Sequence, residues 1–178
     1  MKTAQIARAA VGALALSVLA ACGSSTDFTV KADFTIGPGT TLLTDTATIN
    51  LATMAGDAWD QRKHITDARI TSAIATITQV YEDQTADPLT ASGSATMARS
   101  ETGPTVTVAE QITPLDITQV GNWLAAKDLD GASSMIKDAL KGDGKLVFKT
   151  DAAQTPGDAN VHIDVQVVLT VEAKWSLF

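Results

Sequence analysis

The chain has 178 residues and a formal net charge of −7, with 13 Lys and Arg against 20 Asp and Glu. That length suffices for one domain with a real core. The acidic balance excludes ordinary nucleic-acid binding, which rests on clustered Lys and Arg, and it argues against the folded surface adhering electrostatically to anionic lipid.

The N-terminus reads as an export signal. Lys2 and Arg8 supply a positive region, and Ala9 to Ala21 a short apolar one. As a helix that run would reach only about 20 Å, against the roughly 30 Å of a bilayer core, so a cleaved signal is predicted rather than a retained span. The run ends in Leu19-Ala20-Ala21-Cys22, a small-residue pair between Leu and the chain's single cysteine. An unpaired cysteine in an exported protein requires an explanation. This stretch resembles the lipobox of bacterial lipoproteins. The resemblance implies cleavage between Ala21 and Cys22, lipid attachment to the Cys22 sulfur and acylation of the new amino terminus. It also implies a cell-envelope location, with Gly23 pointing to the outer membrane in a Gram-negative host. Removing Lys2 and Arg8 leaves 11 basic residues against 20 acidic, a net charge of −9. The expected organisation is a signal peptide over 1–21, a lipidated tether over 22–27 that is flexible through Gly23-Ser24-Ser25, and a folded domain over 28–178. Two or three acyl chains would make the anchoring stable.

Phe28 to Ile36 alternates apolar and polar residues, the period of a strand half in a core. Gly37-Pro38-Gly39 ends it. A second strand is predicted over Ala47–Thr53, with Ile49 and Leu51 on its apolar face. Met54 to Lys63 reads as a loop or one helical turn. Ile65 to Val80 is ambiguous: Ile70, Ile74, Ile77 and Val80 have helical spacing. Its Ile and Thr content favours a long strand, with a bulge near Ser72-Ala73 shifting the phase. An acidic loop over Tyr81–Ala91 precedes a hairpin of Ser92–Ala98 and Thr105–Glu110.

Between Pro114 and Gly142 the period becomes helical. Asp116 can cap a short helix bearing Ile117, Val120 and Leu124, although Gly121 weakens it by about 1 kcal/mol. A second helix carries Met135, Ile136, Ala139 and Leu140, with Asp130 or Ser133 as its cap and Gly142 after its end. A strand over Lys145–Thr150 and a loop over Asp151–Asn160 follow. Val161 to Leu177 alternates throughout, and its length demands a bend, a bulge or a frayed end.

The fold class is therefore mainly β: an antiparallel sandwich of seven or eight strands with a small helical insertion near 116–141. The alternative is an α+β domain with 65–80 helical. A membrane barrel is disfavoured, because Phe178 shares the polar phase of the last strand and the eight Phe, Trp and Tyr cannot build two girdles.

Chemistry is sparse. His162 reads as a solvated strand residue. His64 has Asp60 and Asp67 close in sequence, but a general base needs a nucleophile within reach. No Gly-x-Ser-x-Gly elbow occurs, no His-x-x-x-His pair suggests zinc, and Asp128-x-Asp130-Gly131 fails as a calcium loop. Trp175 and Trp123 are assigned to packing, which leaves Trp59 and His64 as the ligand-binding candidates. The expected function is a lipid-anchored, non-catalytic binding or structural module, without metal or cofactor. Its expected partners are the membrane, through the N-terminal lipid, and an envelope protein or glycan. The alternatives are a carrier of an apolar ligand and an envelope hydrolase using His64.

Overall fold

A computed structural model describes residues 23–37, 44–83, 89–156 and 159–176. It contains strands β1 (Ser24–Ile36), β2 (Asp45–Asn50), β3 (Ile65–Val80), β4 (Thr90–Ala98), β5 (Thr105–Asp116), β6 (Gly121–Ala126), β7 (Lys145–Thr155) and β8 (Ile163–Trp175). Helix α1 (Asp57–Asp60) lies between β2 and β3, and helix α2 (Leu129–Lys141) between β6 and β7.

The strands pair from the outside inwards. β1 pairs with β8, β2 with β7, β3 with β6 and β4 with β5, all antiparallel, as if one long hairpin had been rolled up. The β3–β8 and β4–β7 ladders then join these pairs into two sheets, β1-β8-β3-β6 and β2-β7-β4-β5. That connectivity is a jelly roll. Ala109↔Ala126 and Glu110↔Ala125 link the sheets along one edge. At the other edge β1 and β2 approach within 8 Å, so the sandwich is nearly closed into a flattened barrel.

The alternating strands supply the interior. Phe28, Val30 and Phe34 of β1 and Val165, Val167 and Leu169 of β8 are all buried in one cluster, with Val30 opposite Leu169 and Phe34 opposite Val165. Each such side chain contributes roughly 1.5–3 kcal/mol through burial. Inward-apolar and outward-polar is the inverse of a transmembrane barrel. Among the described residues no helix is long and apolar enough to cross a membrane.

β3 is a strand over its whole length, so the α+β alternative is set aside. Its register against β8 shifts between Ile70 and Ser72, next to the bulge site expected from sequence. The shift explains the misleading helical spacing: Ile70 and Ile77 are buried, whereas Ile74 faces out. β6 pairs with β3 only from Ile74 to Ile77, and α2 packs along β3. There the Ile70 backbone N–H donates to Ser133 Oγ at 2.8 Å, and that hydroxyl donates to the Leu129 carbonyl. A buried strand amide that no neighbouring strand reaches thus has a partner.

Several boundaries differ from expectation. The helix proposed from Asp116 does not form; β5 runs through Asp116 and β6 begins at Gly121. Asp116 Oδ1 accepts both the backbone N–H and the hydroxyl of Thr118, the same bond a helix cap makes, but here it closes a turn between strands. The second helix is capped by Asp128, whose carboxylate accepts the Gly131 N–H, rather than by Asp130 or Ser133. β2 stops at Asn50, whose side chain accepts the Ala52 N–H and starts a 3-10 turn over Leu51–Thr53. β7 runs on to Thr155, through the first half of the expected loop. The tether over 22–27 is largely absent as well: Ser24 to Asp27 belong to β1, paired with Trp175 to Glu172, so one residue separates Cys22 from the sheet.

Because every ladder is antiparallel, the connections sort into two ends. Residues 51–64, 99–104 and 127–144 lie at the end where β1 begins, and the described residues 37, 44, 81–83, 89, 117–120, 156 and 159–162 toward the end where it finishes. Along the 13 residues of β1 the two are roughly 40 Å apart.

Candidate functional site

The densest polar network on the described surface lies at the far end, where β3 stops and β8 starts. Val80 pairs with Ile163, so the next residue of one strand and the preceding residue of the other, Tyr81 and His162, become neighbours. The Tyr81 N–H donates to the His162 carbonyl at 3.0 Å. Their rings stack with centroids 3.8 Å apart and planes 14° from parallel. His162 Nδ1 lies 2.9 and 3.1 Å from the two oxygens of Asp83, and the Asp83 carbonyl accepts the Asn160 side-chain amide at 2.7 Å.

The Tyr81 hydroxyl donates to Asp164 Oδ2 at 3.0 Å, and Thr35 of β1 donates to Asp164 Oδ1 at 2.8 Å. One line of side chains therefore crosses three strands: Thr35, Asp164, Tyr81, His162, Asp83. The hydrogen bond to Asp164 is the main cause holding the Tyr81 phenol above its ordinary pKa, with burial and the Asp164 and Asp83 charges adding to it. A phenol held in its neutral form is neither a general base nor an activated nucleophile. Gln79, Val80, Tyr81, Glu82, Asp83 and His162 line a shallow, open depression here. It presents an aromatic ring, an imidazole and carboxylates to solvent. Among the described residues no group of three or more His, Cys, Asp or Glu could hold a metal ion.

The residues singled out from sequence lie at the opposite end. Trp59 on α1 is half-buried and packed against the core. The Arg62 guanidinium sits 4.5 Å from its ring centroid and donates to the Trp59 carbonyl at 3.0 Å. The ring edge lies so close to Gly144, at φ +76°, that a Cβ there would fall 2.8 Å from it. Trp59 is thus a packing residue with one face under a cation, not an open sugar platform. His64 is exposed; its N–H donates to the Gln61 carbonyl and its own carbonyl accepts the Ser176 N–H. Among the described residues no side-chain hydrogen bond or ion pair joins it to Asp60 or Asp67. Trp175 packs partly against the core. Ala21 and Cys22 lie outside the described residues, as does the side chain of Trp123.

His162, read as a solvated strand residue, is the centre of the network instead. The signal that finds it is topological: once β3 and β8 are known to be neighbours, the residue after one and the residue before the other must meet.

Neither a protein-family model nor a curated protein matches the chain. Among solved structures it is similar to the decameric BFDV capsid protein, at 12% identity over 85% of this chain and 99% of that one, with a TM-score of 0.43. It is also similar to desmodium yellow mottle tymovirus, at 13% identity over 100% and 98%, with a TM-score of 0.35. A putative glycoside hydrolase from Bacteroides thetaiotaomicron matches at 14% identity over 65% and 40%, with a TM-score of 0.26. Likenesses this distant assign no activity.

Proposed function

We propose that the protein is a lipid-anchored, non-catalytic binding or structural module of the bacterial cell envelope, held through Cys22, at the outer membrane if the host is Gram-negative. The observation that carries this reading is Leu19-Ala20-Ala21-Cys22, which places the only cysteine at the end of an apolar export segment, with only Gly23 between it and β1. The non-catalytic part is supported by the exposed His64, which no carboxylate among the described residues orients. The interior favours a structural body over a carrier, since alanine, valine and isoleucine from both sheets pack it. Labelled palmitate fed to cells should enter the wild-type protein and not Cys22→Ser. Equal labelling of both, or of neither, would reject the anchor. Loss of function in His64→Ala at unchanged protein level and thermal stability would favour the hydrolase instead.

A further inference from the structure

The two ends of the jelly roll differ in charge as well as in build. Among the described residues the far-end connections contain no Lys or Arg, and carry Glu82 and Asp83. The three near-end connections carry Arg62, Lys63, Arg99, Lys127, Lys137 and Lys141, set against seven carboxylates. Some of those cations are engaged: Arg99 with Asp143 at 2.7 Å and Lys127 with Glu110 at 2.8 Å. Arg62 and Lys63 make no ion pair among the described residues, and Arg62 instead covers Trp59. They immediately precede β3, whose first residue, Ile65, pairs with Trp175; Trp175 in turn pairs with Ser24 of β1.

We infer that the end of the domain carrying Arg62 and Lys63 lies against the anionic headgroup surface of the bilayer and holds the Tyr81–His162 end roughly 40 Å away. This rests on the proposed anchor at Cys22. With only Gly23 between that residue and the sheet, and consecutive Cα atoms about 3.8 Å apart, the start of β1 cannot leave the headgroup region. An acidic protein tethered so closely turns its most negative end away, because an anionic leaflet attracts Lys and Arg and repels carboxylates within a Debye length of about 8 Å. The net charge of −9 is not the charge the bilayer meets: the six cations and seven carboxylates of the near-end connections sum to only −1, and the carboxylates at the far end lie several Debye lengths away.

The test uses the full lipidated protein, whose own cysteine sulfur carries the diacylglyceryl group as a thioether, with one added cysteine. Thr66→Cys marks the near end and Gln119→Cys the far end. Ile77, the β3 partner of Gly121, is eleven residues along from Thr66, so the two probes are roughly 35 Å apart. Each variant is labelled with bimane and reconstituted into vesicles bearing a headgroup nitroxide quencher. Intact mass first confirms the lipid; an unlipidated chain defeats the anchor and not the orientation. With the lipid present, quenching at residue 66 should exceed that at residue 119 by at least about fivefold. The difference should be larger with phosphatidylglycerol included than with phosphatidylcholine alone, and Arg62→Gln/Lys63→Gln should remove roughly half of that increment. Equal or reversed quenching would overturn the orientation, and an unchanged difference between the two lipid mixtures would overturn the role of charge.

Discussion

The two ends of this jelly roll are built differently. At the near end α2 buries Ile136, Ala139 and Leu140, and Arg99 ties the β4–β5 hairpin to the start of β7 through Asp143 and the Lys145 carbonyl. At the far end the strands stop and are joined by connections without a helix among the described residues, crossed by an exposed line of hydrogen bonds from Thr35 to Asp83. Apolar burial is worth several kcal/mol per side chain, whereas exposed polar pairs are worth about 1 or less. One end is therefore a foundation, and the other, outside the buried Leu89, Ile117 and Val161, a polar surface whose side chains can change with little effect on the fold.

That contrast can be broken most forcefully in the interior of the near end. Ile136→Ala should cost about 2–5 kcal/mol in denaturant titration, through lost burial and a cavity. His162→Ala should cost under about 1 kcal/mol, as expected of a surface pair. Similar losses at the two sites would dissolve the distinction between the ends. Beside that polar line one glycine also resists change. Gly37 has φ +116°, and a Cβ there would fall 1.9 Å from the Val161 carbonyl oxygen, next to His162. Gly37→Ala should cost about 1–3 kcal/mol and disturb the Tyr81–His162 stack as well. Wild-type stability would mean that β1 does not end against Val161.

Two smaller effects sharpen the comparison. Tyr81 is the only tyrosine, so its ionisation can be followed by ultraviolet absorbance without assignment. Its midpoint should lie above 10, because ionisation would set a phenolate against the Asp164 carboxylate. The stability this bond contributes is fully present below the ordinary phenol pKa and is lost as pH rises through the raised one. Asp164→Asn should bring the midpoint down, and a wild-type midpoint at or below 10 would remove the bond. Smallest of all, Thr170→Ala on the outer face of β8 should change stability by no more than about 0.5 kcal/mol, against about 2–5 for Leu169→Ala beside it. Comparable losses would reverse the strand phase.

The legible part of the fold was the part with a strict period. Phe28–Ile36 and the run from Val161 announced β1 and β8, and the Ile/Thr content of β3 outweighed its helical spacing. What failed was local chemistry with two meanings. The Asp116–Thr118 bond serves a turn as readily as a helix cap, and Ser24–Asp27 looked like a polar linker because nothing in those four residues shows that Trp175 to Glu172 will pair with them. The candidate site was hidden for the same reason. Asp83 and His162 are 79 positions apart, and only the β3–β8 ladder brings them together. Trp59 and His64 stood out by residue type, which cannot reveal that Arg62 covers one and that no carboxylate among the described residues orients the other.

The foundation reading has meaning only if the near end is where the chain is fixed. The measurement that reaches this most directly is the intact mass of the protein extracted from its native envelope in detergent. The expected mass is that of a chain beginning at Cys22 and carrying a diacylglyceryl group, with or without one further acyl chain. A chain that begins elsewhere, or begins at Cys22 with a free thiol, would contradict the anchor and leave neither end of the domain bound to the membrane by it.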